Sequence, residues 1–333
     1  MTGSRQTPRR MLGLASAAWL ALSTSACALT PGISDKPEQR GRKNYAMTVE
    51  ALRAEPIRFE LDVPYDGGAN ARHRLDLYRP ANPASAALPV VVFFHGGGWS
   101  IGDKSDGAGR LLPLVRSGEY AGVSVEYRFS DEARWPAQIH DCKAAIRWIR
   151  ANATAYGLDP ERIGVWGSSA GGHLALMTGL TGDVAALEGW VGPDPGVSSR
   201  VTAVVNFFGP ADLNATRGPS DEDMPPARLI GGTVRENPGL ATSASPIHYI
   251  TPDDPPVLSI HGSDDGTVAV DHSVALDRAL RAAGVPSYLV IATGARHGGF
   301  GPSGDARVRA FFDRFLRDED VEISTAPIVD WPP

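Results

Sequence analysis

The stretch RIGVWGSSAGGHLAL, residues 162–176, decides the reading of this chain. An apolar β-like run, RIGVWG, ends directly on a serine pair flanked by glycines, and a helix-like run, AGGHLALMTGL, opens immediately behind it. Gly167-Ser168-Ser169-Ala170-Gly171 fits the pattern G-x-S-x-G with Ser169 at its centre. By itself that pattern arises by chance in roughly a third of chains this rich in glycine and serine, so its weight comes from the strand before it and the helix after it. A serine pinched between strand and helix occupies a turn that only small neighbours permit, with its hydroxyl exposed at the carboxyl edge of the strand. The first N–H groups of the helix then point at the same spot. The glycines make room for the turn, and the turn presents Ser169.

Outward from this point the chain alternates. Strand-like runs occur at IRFELDV, RHRLDLY, PVVVFFH, AGVSVEY, RIGVWG, VTAVVNFF, PPVLSIHG and SYLVIAT, with helix-period segments at 136–155, 170–180, 268–283 and 305–317. Such alternation predicts an α/β fold, a mostly parallel eight-stranded sheet with helices on both faces. The first two runs have no helix between them and are expected to form an antiparallel edge. Residues 209–250 are too long and too rich in proline and glycine for a plain connection, and are expected to form a small cap insertion over the sheet. The resulting divisions are an export signal at 1–28, a tether and N-terminal arm at 29–56, a catalytic domain at 57–320 that carries the cap, and a C-terminal tail at 321–333.

Composition excludes several function classes. The 333 residues are 42% hydrophobic and 21% charged, with a net charge of −6 and both signs interspersed, so no basic stripe is available for a nucleic-acid backbone. Two cysteines, Cys27 and Cys142, are too few for a disulfide framework or a cysteine-rich zinc site. Cys142 falls in register with Ile139, Ile146 and Ile149 and is expected to be a buried small hydrophobe. No metal or other cofactor is called for. Arg5, Arg9 and Arg10 precede the apolar run MLGLASAAWLAL and the small-residue stretch STSACA, the pattern of an export signal that places the protein in the periplasm or outside the cell. RRML also suits a twin-arginine route. Ala26-Cys27-Ala28 fits an A-x-A cleavage site, whereas Cys27 after TSA fits a lipoprotein box and membrane anchoring; both processing readings stand.

A serine hydroxyl needs a base, and the developing oxyanion needs donors. His95-Gly96-Gly97-Gly98-Trp99 ends the most apolar strand, so the N–H groups of Gly97 and Gly98, with that of Ala170, are the candidate oxyanion hole; His95 is expected to fix the loop. Of the five histidines after Ser169, namely His173, His248, His261, His272 and His297, the last lies in a glycine-rich loop between the final strand and the final helix and is the candidate base. PPVLSIHGSDDGTV supplies Asp264 and Asp265 at the end of the preceding strand, and Asp265 is preferred as the acid that holds the imidazole. Trp99 and Ser168 are candidate substrate contacts, and Phe129 and Trp135 are further wall candidates with ready readings as plain packing.

HGGGW, the run from EYRFSDEARW through GSSAGGHLAL, SPIHYI, PPVLSIHGSDDGTV and GARHGGF occur in order over about residues 57–317. Together they resemble α/β-hydrolase esterases of the hormone-sensitive-lipase-like and bacterial carbohydrate (acetyl or feruloyl) esterase type. The resemblance implies a Ser169, Asp265, His297 triad, with the acid four residues after the histidine of HGSDD, and an oxyanion loop at HGG. The chain departs from the family pattern at Thr267 and Ala269, in a packing turn. The activity that the resemblance implies is that of a serine carboxylic-ester hydrolase for short-chain acyl or carbohydrate-linked esters, acting through an acyl-enzyme. An arylformamidase-type amide hydrolase shares the HGGxW loop, and a non-catalytic binding protein of this fold is the alternative from another class. Retention of both serine and histidine argues against the latter.

Overall fold

A computed structural model describes residues 49–215 and 224–331. The export signal, the lipidation site at Cys27, most of the tether and the middle of the insertion lie outside the described residues. The first described element is a short helix, α1 (Val49–Arg53), which buries Leu52. Eight strands follow: β1 (Ile57–Pro64), β2 (Arg74–Pro80), β3 (Leu88–Phe94), β4 (Ala121–Val125), β5 (Leu158–Ser168), β6 (Ala203–Phe207), β7 (Val257–Gly262) and β8 (Ser287–Ala292). They form one sheet in the order β1-β2-β4-β3-β5-β6-β7-β8. β1 pairs antiparallel with β2, and β2 with β4, while every pairing from β4 to β8 is parallel. The expected antiparallel edge is present.

Seven further helices are described: α2 (Ala108–Arg116), α3 (Ala137–Tyr156), α4 (Ala170–Leu180), α5 (Pro225–Ile230), α6 (Pro238–Ser243), α7 (Asp271–Ala282) and α8 (Gly301–Leu316). Two apolar clusters cover the two faces of the sheet. Val90, Val92 and Phe94 of β3 point to the cluster that holds α3, α4 and α7, and Val91 and Phe93 point to the one that holds α2 and α8. The period-2 alternation of a strand buried on both faces thus accounts for the near-continuous apolar run. α4 lies under the centre of the sheet and is buried at every position, which is why it carries no Asp, Glu, Lys or Arg.

α3 buries Cys142, as its register indicated, but also two cations. The Lys143 ammonium donates to the Thr181 carbonyl and to Glu188 Oε1, each at 2.6 Å, and Arg147 Nη1 donates to Glu188 Oε2 at 3.2 Å. One carboxylate from the 185–199 segment therefore pairs with both. At the opposite edge, the C-terminal tail adds to β8: Ile328 N–H donates to the Ile291 carbonyl and Thr293 N–H to that of Ile328, each at 2.9 Å. This covers backbone that would otherwise be an open edge.

Candidate active site

The carboxyl ends of β3, β5, β6, β7 and β8 bring together the loops that the sequence singled out. Ser169 follows β5 with φ 56° and ψ −122°, a positive-φ conformation that costs about 1–3 kcal/mol in a non-glycine residue. The surroundings enforce it. Ser169 N–H donates to the Phe207 carbonyl at 2.8 Å, tying the turn to β6. A Cβ on Gly167 would lie 2.1 Å from the Gly171 carbonyl oxygen, and one on Gly171 would lie 2.0 Å from that of Phe94. Glycine is required at both because the first turn of α4 is pressed onto the ends of β3 and β5.

The loop after β3 lies against this turn. A Cβ on Gly96 would stand 2.9 Å from the Ser168 carbonyl oxygen and 3.4 Å from Ser169 Cβ. Gly97, Gly98 and Trp99 have φ values of 122°, 59° and 55°, so the backbone reverses tightly here. His95 holds the loop, as expected: its Nδ1 donates to the Gly96 carbonyl at 2.8 Å and its ring stacks on Tyr127 with centroids 4.4 Å apart. Behind it, Glu126 Oε2 accepts from Lys104 N–H at 2.8 Å and Oε1 accepts from Arg72 at 2.7 Å. Burial would raise the Glu126 carboxyl, but the His95 ring, the Lys104 N–H and the Arg72 guanidinium together hold it below its ordinary range.

His297 and Asp265 meet. His297 Nδ1 donates to Asp265 Oδ2 at 2.7 Å, and the N–H groups of Thr267 and Val268 donate to Oδ1 at 2.8 and 3.0 Å. Burial alone would raise the Asp265 carboxyl, but hydrogen bonds from His261, His297 and Val268 overcome it and hold the group far below the usual carboxylate range. It is therefore a fixed anion at neutral pH, facing an imidazole whose outer nitrogen is left available. Phe208, itself at φ 44°, packs on the His297 ring with centroids 4.4 Å apart. Asp264 is exposed and accepts only from its neighbour Ser263, at 2.8 Å. Thr267, where the sequence departs from the family pattern, serves the carboxylate through its backbone, so the change of side chain leaves that contact intact.

Trp99 does not form an open pocket wall. It is 3% exposed, and its indole N–H donates to His173 Nδ1 at 3.3 Å, with the two rings edge to face. Its glycine-rich approach hid that it turns inward, onto the second turn of α4. His173 Nε2 in turn donates to the Ala244 carbonyl at 2.7 Å, so one neutral imidazole ties the loop after β3 to the insertion. Burial pushes the His173 pKa down to about 4. Phe129 and Trp135 are also buried. The Arg72 guanidinium lies 3.6 Å above the Phe129 ring, and the Trp135 indole donates to Ser243 at 3.1 Å. Ser168 stays half-buried beside Gly96. His173 and His261 are the residues that sequence reasoning set aside; the partners of His173 come from distant elements, whereas those of His261 lie within twelve positions, at Asp265, Val268 and Ser273.

A pocket of about 610 Å³ opens beside the loop after β3, and Ser169, Asp265 and His297 are not among the residues that line it. Ser100 and Ile101 line it from the loop after β3, Ser130, Asp131 and Arg134 from the segment before α3, and Arg228, Thr233 and Glu236 from the insertion. A Cβ on Gly98 would lie 3.2 Å from Pro225, so the insertion reaches the glycine loop itself. Among the described residues there is no cluster of metal-ligating side chains, and no helix long and apolar enough to cross a membrane.

Sheet order, the strand–turn–helix unit at Ser169 and the Asp265–His297 pair at adjacent strand ends define an α/β-hydrolase fold. The chain belongs to the BD-FAE family, whose model matches residues 75–280, a span that includes Gly97, Ser169 and Asp265 and stops short of His297. Among curated relatives, Esterase LipQ of Mycobacterium tuberculosis is 35% identical over 229 residues, 67% of this chain and 53% of its own length. Esterase LipC of the same organism is 30% identical over 281 residues, 76% of this chain and 69% of its own length. The chain thus spans about half of the first relative and somewhat over two thirds of the second. A solved structure described as a truncated form of a carbohydrate esterase from gut microbiota superposes with a TM-score of 0.74 at 31% identity, covering 82% of this chain and 98% of that one.

Proposed function

We propose that this protein is a serine ester hydrolase. The observation that carries the reading is the anchored Asp265–His297 pair, with its carboxylate saturated by donors, at the same sheet edge as a serine held in a strained, glycine-enclosed turn. In this reading Ser169 attacks an ester carbonyl while His297 Nε2 takes its proton, and Asp265 fixes the tautomer and stabilises the imidazolium. The N–H groups of Gly97, Gly98 and Ala170 receive the oxyanion. Protonated His297 then donates to the departing alcohol, and water repeats the sequence to release the acid and regenerate Ser169.

The pocket beside the glycine loop offers partners for a polar alcohol portion: hydroxyl, carboxylate and guanidinium groups from three segments line it, next to the apolar side chains of Ile101 and Ala227. Short-chain acyl esters, carbohydrate-linked ones in particular, suit this lining. The test is a p-nitrophenyl ester series from acetate to palmitate beside acetylated and feruloylated sugars. Turnover that falls steeply with chain length while sugar esters are hydrolysed supports the reading, and a preference for palmitate overturns the substrate class. Export through residues 1–28 is part of the same proposal, since sugar esters of this kind are environmental; cell fractionation of the tagged full chain tests it, and a wholly cytoplasmic protein refutes it.

A further inference from the structure

We infer that His261 is a positioning residue for the proposed hydrolytic site: a second, fully buried imidazole that shares one oxygen of Asp265 with His297 and thereby limits the proton affinity of His297. The inference rests on the esterase reading for its effect on turnover, but not for its geometry.

His261 lies at the end of β7, where the neighbouring positions Val257, Leu258 and Ile260 are apolar, and it is 0% exposed. Its Nε2 stands 2.9 Å from the Val268 carbonyl oxygen and 3.2 Å from Asp265 Oδ2. Both are acceptors, so Nε2 carries the hydrogen, donating to the Val268 carbonyl with the carboxylate oxygen close beside it. On the other side, Nδ1 of the neutral ring accepts from the Ser273 hydroxyl of α7 at 2.7 Å, which fixes both the tautomer and the ring plane. Asp265 Oδ2 therefore receives two imidazole donors, and the shorter, at 2.7 Å, is His297. The titratable groups around His261 are Asp265 on its own loop, His297 across that carboxylate, His272 on α7 and, beyond it, Asp212, whose N–H lies 3.4 Å from His272 Nδ1. Phe208 packs against both imidazoles that share the oxygen, at 6.3 Å from His261 and 4.4 Å from His297.

A carboxylate oxygen that already accepts one hydrogen bond has less charge to offer a second donor. With His261 in place, Asp265 stabilises the imidazolium of His297 less than an otherwise unshared carboxylate would. Without it, the charge on Oδ2 is concentrated on His297, and the imidazolium is favoured.

The experiment tracks the His297 titration directly by imidazole NMR in the parent protein, His261→Leu and His261→Gln, with urea unfolding to establish that each is folded. Leucine removes the donor, whereas the glutamine amide restores one near Nε2. The expected result is a His297 midpoint raised by roughly half to one pH unit in the leucine variant and close to the parent in the glutamine variant. The acid limb of kcat/KM moves by the same amount, with KM within about twofold. An unshifted midpoint in folded His261→Leu, or equal shifts in both variants, overturns the inference. Should the leucine variant fail to fold, Ser273→Ala, which frees the ring from its hydroxyl, takes its place: a smaller upward shift supports the role and no shift refutes it. Because the NMR readout needs no turnover, a failure of the esterase reading leaves this result separately readable.

Discussion

Replacing Asp265 by asparagine tests the electrostatic core of the site, because the change is isosteric, removes the negative charge and turns one acceptor into a donor. All four groups around the wild-type carboxylate are donors: Thr267 and Val268 N–H on Oδ1, and the His297 and His261 rings on Oδ2. An amide offers one acceptor and one donor at those two positions. If its oxygen keeps the two backbone N–H groups, its NH₂ faces His297 Nδ1 and bonds only to the tautomer that carries its proton on Nε2. That nitrogen is the one assigned to accept from Ser169, so the base is switched off. The expected loss in kcat is about 10⁴-fold, equivalent to about 5.4 kcal/mol in the barrier. Stability falls by about 1–3 kcal/mol as well, since His261 N–H also loses its carboxylate. Hydrolysis of p-nitrophenyl acetate and urea unfolding measure the two effects separately. Asp264→Asn, one residue away but exposed, is the control and should retain near-parental activity. Asp265→Asn that keeps more than about a tenth of kcat/KM, or Asp264→Asn that loses as much, refutes the reasoning.

Three other outcomes are expected. Gly171→Ala forces a Cβ to within 2.0 Å of the Phe94 carbonyl oxygen, and should cost about 3 kcal/mol in urea unfolding, if the protein accumulates at all; a cost below about 1 kcal/mol contradicts the close approach of α4 to β3. Glu188→Gln strips the counter-charge from Lys143 and Arg147, both almost wholly buried, with an expected loss of about 3 kcal/mol, and an unchanged unfolding midpoint would show that the cluster is not coupled. The third concerns pH. The buried His173 has its pKa pushed down to about 4 from the ordinary 6.5, so between those values the unfolded chain binds a proton that the folded chain does not. Its contribution is complete above pH 6.5 and is lost as pH falls toward 4, by roughly 3 kcal/mol in all. Urea unfolding at pH 7, 5.5 and 4 should show this slope, and His173→Asn should flatten it; equal slopes in the two proteins would assign the pH dependence to other groups.

The strands were legible because each β-run is short, apolar and bounded by turn residues, and because a strand buried on both faces leaves a near-continuous apolar signature, as in PVVVFFH. α2 was harder to read because Pro113 interrupts its pattern, although the helix runs through it. The local part of the site was legible too: Ser169 and the triple glycine announce themselves through backbone geometry that only certain residues allow. Contacts that join distant elements were not. Trp99 reads as a pocket residue from its place beside the glycines, but its indole turns toward His173, seventy-four positions later. Lys143 and Arg147 are buried because the 185–199 segment folds over them and supplies Glu188. His173 carries no local signal, since its partners Trp99 and Ala244 are supplied by distant parts of the fold.

The most direct test of the central claim is covalent. The protein is incubated with an alkyl phosphonate ester, the adduct is located by mass spectrometry of peptides, and p-nitrophenyl acetate hydrolysis is measured in parallel with Ser169→Ala. The account predicts one equivalent of label on Ser169, loss of hydrolysis in step with labelling, and neither label nor turnover in the alanine variant. Label on another residue, or hydrolysis that survives Ser169→Ala, would contradict it.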